Sequence, residues 1–550
     1  MADVKTVNLT IDGRPVSVPD GMSLLEAAKT AGILIPHYCY HPGLPVAGVC
    51  RMCLVEVEKM PKLAPACATA VADGQVVHVH SEAAREARKG VLEFLLINHP
   101  LDCPICDQSG ECELQDYTFN EGRKDSRFRE PKRFNPMEDF GGDVLYVTNR
   151  CILCTRCVRF MDTAAREPVL NVSERGDRAV IGIFEGEGLT HPWAANVVDL
   201  CPVGALVSKD FLNKARAWEL DRSASVCTGC TQGCNIIVET REDVVVRLRP
   251  RSNEEVNQFF MCDYGRLNYR WLNRPDRAQV PMVRREGRAA PVDWDVALRA
   301  AAALLADRPA YVLASPGLSN EALHLLQRLI TRTGGAGVFR CPTGDEAPLP
   351  GVEDLALRTD RAPNVAGAEL FGFTRVDLGQ PLSGMPDGSV LVIADDTLEL
   401  VAPDALRRAA GVIFLTTVAD PAAAVADPAA AAADVVLPML NVAEDEGTFT
   451  NLRGRVQRFL QAKSGVGLAR PGWFVLSDLL AGMGDSTDYF IPSEVFAAIA
   501  AEHPEFAGMT YDTLGLLGAP VASAAAVTAG VGAGVGAGVG AGEPDRGSDS

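Results

Sequence analysis

Fifteen of the sixteen cysteines lie between Cys39 and Cys262, and with one histidine they sort into four sets of four. The sets are Cys39, Cys50, Cys53 and Cys67; His99, Cys103, Cys106 and Cys112; Cys151, Cys154, Cys157 and Cys201; and Cys227, Cys230, Cys234 and Cys262. Only Cys341 is left over. Thiolates in groups of four are the ligand complement of an iron–sulfur cluster. Four such sets with no evident substrate-turnover site point to a chain that passes electrons, and no catalytic residue is assigned.

The spacings differ in what they specify. The first set runs C-x10-C-x2-C-x13-C, with Gly48 ahead of Cys50, so the backbone can wrap an inorganic core and aim amides at sulfur. The interval between its first two ligands is longer than the plant-type [2Fe–2S] pattern. The second set, in NHPLDCPICDQSGEC, is H-x3-C-x2-C-x5-C. An imidazole in place of a thiolate removes one negative charge and should raise the potential of a [4Fe–4S] cluster. The third set opens with CILCTRC and closes with Cys201-Pro202, the ferredoxin run for a [4Fe–4S] cluster and the most specific signal in the chain. The fourth, C-x2-C-x3-C-x27-C, also suits [4Fe–4S]. Zinc is the competing ion for the first, second and fourth sets, because four thiolates, or three with an imidazole, are zinc arrangements too.

Elements must deliver these ligands. Val7, Leu9 and Ile11 alternate, Asp12-Gly13 makes a turn, and Val16 and Val18 resume the alternation, which predicts a β-hairpin. Ser23 to Glu26 is a capping box that starts a helix ending near Ala31. A strand pair, a helix and a cysteine loop are the layout of a β-grasp ferredoxin. Ser81 to Ile97 reads as an amphipathic helix with Val91, Phe94, Leu95 and Ile97 toward a core and Arg85, Arg88 and Lys89 on a solvated or partner-facing side. Residues 113–140 are polar and read as a linker or docking strand. After Cys262 the apolar runs Ala310–Ala314, Val390–Ala394 and Val412–Thr416 alternate with helical stretches Asn320–Thr333 and Ala405–Ala410. That alternation predicts a parallel, doubly wound α/β sheet. The expected domains are residues 1–80, 81–140, 141–222, 223–280, 281–515 and a Gly/Ala-rich flexible tail over 516–550, so the fold class is multidomain α+β and α/β.

Composition narrows the class. The chain has 550 residues and a net charge of −19, which argues against nucleic acid as a partner. The N-terminus lacks a charged region followed by an apolar one, so no signal peptide is expected. No stretch before residue 505 reads as a membrane span; the uncharged run Thr513–Gly542 is rich in Gly and Ala and reads as a tail. Ligand-like spacing without an export signal places the thiols in a reducing compartment, without disulfides. His37 and His41 flank Cys39 and read as polar residues of a cluster loop. The glycines of the tail follow no strand, which excludes a dinucleotide-binding loop there.

On these motifs the chain resembles the large iron–sulfur subunit family (75 kDa type) of bacterial proton-pumping NADH–quinone oxidoreductase, respiratory complex I. The resemblance spans residues 3–280 closely and continues loosely to about residue 465. It implies one [2Fe–2S] cluster on the first set and three [4Fe–4S] clusters on the others, the fourth lying off the main electron path. Implied partners are a flavin- and NADH-binding subunit and downstream [4Fe–4S] subunits, with no nucleic acid. The implied place is the peripheral arm of a membrane-associated translocase complex of the respiratory chain, on the cytoplasmic face of the inner membrane. The later part is similar to molybdopterin oxidoreductases, through Val292–Leu298, ADVVLPML (Ala433 to Leu440) and EGTFTNLRGRVQ (Glu446 to Gln457). Two departures count against a metal there. Tyr264 stands where those enzymes carry a lysine after the last cluster cysteine, and Cys341 sits in FRCPTG, outside their motif. About 290 residues after Cys262 are also too few for a full set of pterin-enclosing domains. No molybdopterin is therefore expected, and Cys341 reads as a buried inert thiol.

The reading is an electron-relay subunit of NADH:quinone oxidoreductase. The rivals are a catalytic or relay subunit of an NAD-linked molybdopterin formate dehydrogenase, a diaphorase or hydrogenase side subunit, and a zinc scaffold.

Overall fold

The computed structural model describes residues 5–377, 382–394, 403–418 and 433–522. It divides into two compact units. The first comprises Met1–Pro275, Gly344–Thr359 and Gln461–Ser464; the second comprises Asp276–Thr343, Asp360–Leu460 and Gly465–Ser550.

In the first unit the expected hairpin is formed by Thr6–Ile11 and Arg14–Pro19, paired from Thr6↔Pro19 to Ile11↔Arg14. Asp12 (φ 46°) and Gly13 (φ 76°) both take left-handed backbone, the geometry that matches the twist of a two-residue hairpin. Strand Thr6–Ile11 also runs parallel to Val76–His78, which pairs with Leu54–Val57. Helix Leu24–Thr30 starts at Ser23, whose Oγ accepts from the Glu26 amide at 3.2 Å. Leu24, Leu25, Ala27 and Ala28 of this helix pack on Val7, Leu9, Ile11, Val16 and Val18, closing a β-grasp core.

Helix Glu82–Leu96 occupies the expected stretch with Ser81 as its cap, but it turns a different face inward. Ala84, Arg88 and Leu92 are buried, whereas Phe94 is 77% exposed. Arg88, expected on the solvated side, is wholly buried. Its Nη1 donates to Val79 O at 3.0 Å and its Nε pairs with Glu121 at 3.0 Å, while Nη2 is buried without a partner, so a paired guanidinium sets the rotation of the helix. Glu121 lies in helix Glu113–Glu121, so the first part of the segment expected as a linker is helical, and its last part is strand Met137–Gly141.

Strands Met137–Gly141, Val144–Val147 and Leu206–Ser208 form a sheet in which Leu206 pairs with Tyr146. A second sheet holds Asp221–Val226, Asn235–Arg241 and Val244–Pro250. Gly344–Thr359, expected within the α/β domain, belongs to this unit. The Gly351 amide donates to Ala164 O at 2.7 Å, Trp193 Nε1 to Ala347 O at 3.0 Å, and Arg358 Nε to Gln232 Oε1 at 2.8 Å.

The second unit is built on an eight-stranded sheet. Six strands are parallel, in the spatial order Thr374–Arg375, Ala336–Phe339, Ala310–Ala314, Val390–Ala394, Gly411–Thr416, Val435–Pro438. The first strand in sequence is central and the chain winds outward on both sides, which is the doubly wound order 3-2-1-4-5-6. The antiparallel hairpin Met282–Arg285 and Arg288–Pro291 extends one edge. The three strands picked out by continuous apolar runs are buried along their whole length, as a sheet covered on both faces requires. Helix Asn320–Thr333 has the expected bounds, with Ser319 as N-cap and Gly334 (φ 65°) as C-cap. The helix expected over Ala405–Ala410 is Pro403–Arg408. A buried ion pair, Arg277 with Glu444 at 2.6 Å through both oxygens, lies at one side of this sheet. The expected tail starts too early: Ala519–Pro520 pairs with Arg455–Phe459, and Val521 is buried. The Gly/Ala repeat itself lies outside the described residues.

Candidate iron–sulfur ligand sites

The elements around them bring the cysteines of each set together, whereas His99 lines a cavity with Cys151 rather than with Cys103, Cys106 or Cys112. In the first, the loop after helix Leu24–Thr30 supplies Cys39, Cys50 and Cys53, and the short turn Ala66–Ala68 supplies Cys67. The Cys39 thiol is in side-chain contact with Cys50 and Cys67, and Cys53 with Cys67. Gly48 and Arg51 take left-handed φ of 64° and 59°, which lets the loop curl. The amides of Cys50 and Val49 approach the Cys39 sulfur, and the Cys39 amide lies 3.5 Å from Cys50 Sγ. Hydrogen bonds from Cys50 and Cys67 hold the Cys39 thiol far below its ordinary value, and contact with Cys67 holds Cys53 at about 7. The same contacts push the Cys50 and Cys67 thiols well above theirs, so the four thiols share their protons through direct side-chain contact. His37 Nδ1 is bonded to Ile35 O at 2.8 Å, and burial brings His41 down to about 4; both are accounted for as loop residues.

In the second set Cys103, Cys106 and Cys112 are close enough to perturb one another electrostatically. His99 Nδ1 is buried and has no hydrogen-bond partner. Burial, then Lys132 and Arg150, brings its imidazole down to about 4, so it is neutral at ordinary pH, the form that binds a metal. Gly204 lies against this set. A Cβ there would stand 2.3 Å from Cys106 Sγ.

In the third set the pairing Leu206↔Tyr146 carries Cys201 back to the triplet that follows Val144–Val147. Leu153 (φ 53°) and Thr155 (φ 62°) are left-handed, and the Leu153 amide lies 3.4 Å from Cys151 Sγ. The amides of Val203, Leu206 and Ala205 approach the Cys201 sulfur, and the Tyr146 hydroxyl approaches Cys151. Burial pushes Cys151 to about 11 and Cys154 to about 12.

The fourth set occupies the connection between Asp221–Val226 and Asn235–Arg241, with Cys262 at the start of helix Asp263–Leu267. All four thiols are buried. The Gly229 amide lies 3.4 Å from Cys227 Sγ and the Gly265 amide 3.3 Å from Cys262 Sγ; a Cβ on Gly265 would meet Cys227 Sγ at 2.8 Å. Among the described residues the cysteines form no disulfide, and Cys341 is buried with Sγ 3.3 Å from Pro342 O. Converging thiols, amides aimed at sulfur and glycines where sulfur needs room are the features an iron–sulfur cluster requires of its ligand loops, so the residues fit the group.

The sequence reading overlooked the arginines that fasten these loops together. Arg156, inside CILCTRC and buried, donates to Tyr40 O at 2.8 Å and Leu200 O at 3.2 Å and faces Glu113 at 3.5 Å. It thereby joins the first, second and third sets. Arg159 donates to Cys39 O and Cys154 O. Arg150 pairs with Asp102 at 3.0 Å. The fourth set is held to the third by Asn196, which exchanges hydrogen bonds with Met261, and by the Asp263 amide on Pro192 O at 2.8 Å. Glu111 receives Arg222, Arg247 and Arg249, while Arg249 and Arg266 also reach Asp199. An arginine between two ligand cysteines was the one available signal.

The fold combines a β-grasp part, small cysteine-bearing parts and a doubly wound α/β part, and its cysteine groups have the chemistry of iron–sulfur ligand loops. Family models agree in order along the chain. They are a 2Fe-2S iron-sulfur cluster binding domain over residues 4–82, the NADH-ubiquinone oxidoreductase-G iron-sulfur binding region over 88–127, and the NADH-quinone oxidoreductase subunit 3 ferredoxin-like domain over 141–207. The molybdopterin oxidoreductase Fe4S4 domain follows over 221–274 and molybdopterin oxidoreductase over 423–481. The resemblance read from the motifs holds among curated proteins. The chain is 41% identical over 331 residues to the G subunit of NADH-quinone oxidoreductase from Rickettsia bellii, covering 60% of this chain and 48% of that one. It is 48% identical over 294 residues to the mitochondrial NADH-ubiquinone oxidoreductase 78 kDa subunit of Neurospora crassa, covering 53% and 39%. The chain thus spans less than half the length of these relatives. A crystal structure of an NAD+-reducing [NiFe]-hydrogenase in the H2-reduced state is 31% identical, covers 38% of this chain and 90% of that one, and has a TM-score of 0.35.

Proposed function

We propose that the sixteen residues hold one [2Fe–2S] and three [4Fe–4S] clusters, and that the chain is the electron-relay subunit of an NADH–quinone oxidoreductase. In this reading the clusters supply one-electron redox chemistry, and the protein supplies ligands, burial and fixed spacing. The chain's own residues do the rest. Cys39, Cys50, Cys53 and Cys67 form the receiving site, facing a flavin-bearing partner. His99 with Cys103, Cys106 and Cys112, and Cys151 with Cys154, Cys157 and Cys201, form the route onward to further clusters and quinone on other subunits. Cys227, Cys230, Cys234 and Cys262 act chiefly as a fold staple, because metal bound only by the folded loop contributes folding free energy. The observation that carries the reading is Arg156, whose guanidinium spans backbone of the first and third loops and a carboxylate beside the second. A relay needs its centres at fixed separations, and isolated structural zinc sites do not.

Among the described residues no helix is long and apolar enough to cross a membrane. This is compatible with a place in the peripheral arm of a membrane complex, reached through partner subunits. The test is low-temperature EPR of the dithionite-reduced chain, with iron and acid-labile sulfide counted per polypeptide. Signals of both binuclear and cubane type, with iron matching one and three, are expected. A colourless or zinc-only anaerobic preparation would overturn the reading, and molybdenum or tungsten in it would favour a formate dehydrogenase instead.

A further inference from the structure

The ligand turn of the second set is the one most open to solvent. Cys103 is exposed, whereas every other ligand cysteine is buried or half-buried. Pro104 and Ile105 beside it are exposed as well, Ile105 by 66%. The turn closes on itself through the Ile105 amide, which donates to Asp102 O at 2.8 Å, and the Cys106 amide, which reaches Cys103 O at 3.4 Å. The second contact is beyond the ordinary range of an N–H···O bond. Cys106 is packed from the inside by Gly204. Cys112 precedes helix Glu113–Glu121, whose first amide is anchored on Pro202 O at 3.1 Å. Cys103 is therefore the ligand whose place depends on the turn itself.

Residues 213–222, on the way from the third set to the fourth, lie across this turn. Arg216 Nη1 donates to Cys106 O at 2.7 Å and Nη2 donates to Pro104 O, so one guanidinium grips the carbonyls on both sides of Ile105. Its own place is fixed in turn. The Glu219 carboxylate accepts from the Arg216 amide at 2.8 Å and pairs with Arg241 at 3.4 Å. The guanidinium stands 6.0 Å from the centre of the Trp218 ring, and that ring covers Gly110, where a Cβ would meet it at 2.9 Å. The Asn213 amide donates to both oxygens of the buried Asp107 at 3.2 Å and 3.1 Å, and Arg222 reaches Glu111 at 2.8 Å. The same ten residues thus hold the second ligand loop at several points along its length.

We propose that Arg216 is a positioning residue of the second ligand set: by holding Pro104 O and Cys106 O it keeps the exposed turn, and with it Cys103, in ligating position. This rests on the reading of that set as an iron–sulfur site, and adds which ligand is released first and what retains it. A planar fork fixes both the position and the direction of two acceptors, which a point charge does not. Water can satisfy both carbonyls once the fork is gone, but it fixes neither in space, so what is lost is the orientation of a ligand by the shell behind it.

The test uses the full chain with its iron, prepared anaerobically. Ferricyanide takes one electron from a [4Fe–4S]2+ centre, which releases one Fe2+ and leaves [3Fe–4S]+ with an EPR signal of its own. Arg216→Gln should speed the growth of that signal about 10–100-fold, with one iron lost. The acceleration should vanish when Cys106→Ala, which removes the second set, is combined with it. Arg216→Lys should fall between wild type and Arg216→Gln, since one ammonium cannot span both carbonyls. A merely structural arginine would instead lose about four irons together with no three-iron signal. That result, an unchanged rate in Arg216→Gln, persistence of the acceleration in the combined variant, or a rate in Arg216→Lys equal to wild type would each overturn the proposal. The lysine variant decides alone if the glutamine variant folds poorly. Cys106→Ala by itself tests the underlying reading. Full iron in that variant would refute a cluster on the second set, whereas loss of about four irons there beside an unmoved Arg216→Gln would refute the role of Arg216 alone.

Discussion

Gly204→Ala isolates one requirement of the second ligand set. The added methyl would stand 2.3 Å from Cys106 Sγ and 3.0 Å from Gln108 Cβ. Ordinary contact between such atoms is about 3.5–4.0 Å, so the sulfur or the Gly204 backbone must retreat by at least roughly an ångström. Retreat of the backbone is opposed by its neighbours. The Arg150 guanidinium reaches Gly204 O, Glu113 N donates to Pro202 O at 3.1 Å, and Leu206 is already in the sheet opposite Tyr146. The sulfur therefore moves. A metal–thiolate bond tolerates about 0.2 Å, so a displacement several times larger removes Cys106 as a ligand. The overpacking itself costs about 1–3 kcal/mol, too little to unfold a unit of this size. The expected result is a folded chain that loses about four irons and one cubane EPR signal while keeping the binuclear signal. Gly90→Ala is the control. It lies mid-helix with nothing within 4 Å of the new methyl, and should stabilise by about 0.5–1 kcal/mol with iron unchanged. Full iron and an unaltered spectrum in Gly204→Ala would refute the argument that Cys106 is a cluster ligand in this geometry.

Three further outcomes follow from the same structure. Cys230→Ala should lower the temperature of unfolding of the first unit yet largely spare NADH-to-quinone flux in the assembled complex; loss of flux with assembly intact would remove the fourth set from its role as a staple. Glu444→Gln strands a buried guanidinium and should cost about 3–5 kcal/mol in denaturant unfolding of the second unit, whereas Arg277→Met with Glu444→Leu should recover most of it; equal losses in the single and double variants would sink this. Asp445 is held at about 7 by burial first and by the nearby Glu321 carboxyl, against an ordinary value of 3.8, so the folded state favours its neutral form. Its contribution is complete below pH 3.8 and fades as pH rises through about 7, so Asp445→Asn should flatten the pH dependence of stability across that window, by an amount of order 4 kcal/mol at neutral pH.

What could be read from the sequence was whatever short-range periodicity or fixed spacing encodes. The hairpin with Asp12-Gly13, the capped helix from Ser319 to Gly334 and the three apolar strands were legible because each depends on neighbours within a few residues. The convergence of three cysteines in each set was legible for the same reason, since they lie in one stretch of chain. The inward face of helix Glu82–Leu96 was not, because a buried Arg88 held by Val79 and Glu121 outweighs the apolar count. Gly344–Thr359 joining the first unit was equally hidden. Its anchors, Ala164, Trp193 and Gln232, are more than a hundred residues away in sequence.

The arginines around the ligand loops offset part of the cost of burying so many thiols close together. Desolvation alone pushes Cys151, Cys154, Cys157 and Cys201 upward, against the anionic form that binds metal. Arg156 works in the opposite sense on Cys154 and Cys201, as Arg150 does on Cys106. Lysine would supply the same charge as a single compact point. A guanidinium carries five donors in a plane, and Arg156 uses those of its two terminal nitrogens on Tyr40 O, Leu200 O and Glu113 at once. One side chain thus lowers the electrostatic cost of the third ligand set and fixes its position relative to the other two. On this argument Arg156→Lys should keep most of the charge effect and lose the fastening. Iron content should hold while electron transfer from the first set to the third slows, a split that a purely electrostatic role for Arg156 would not produce.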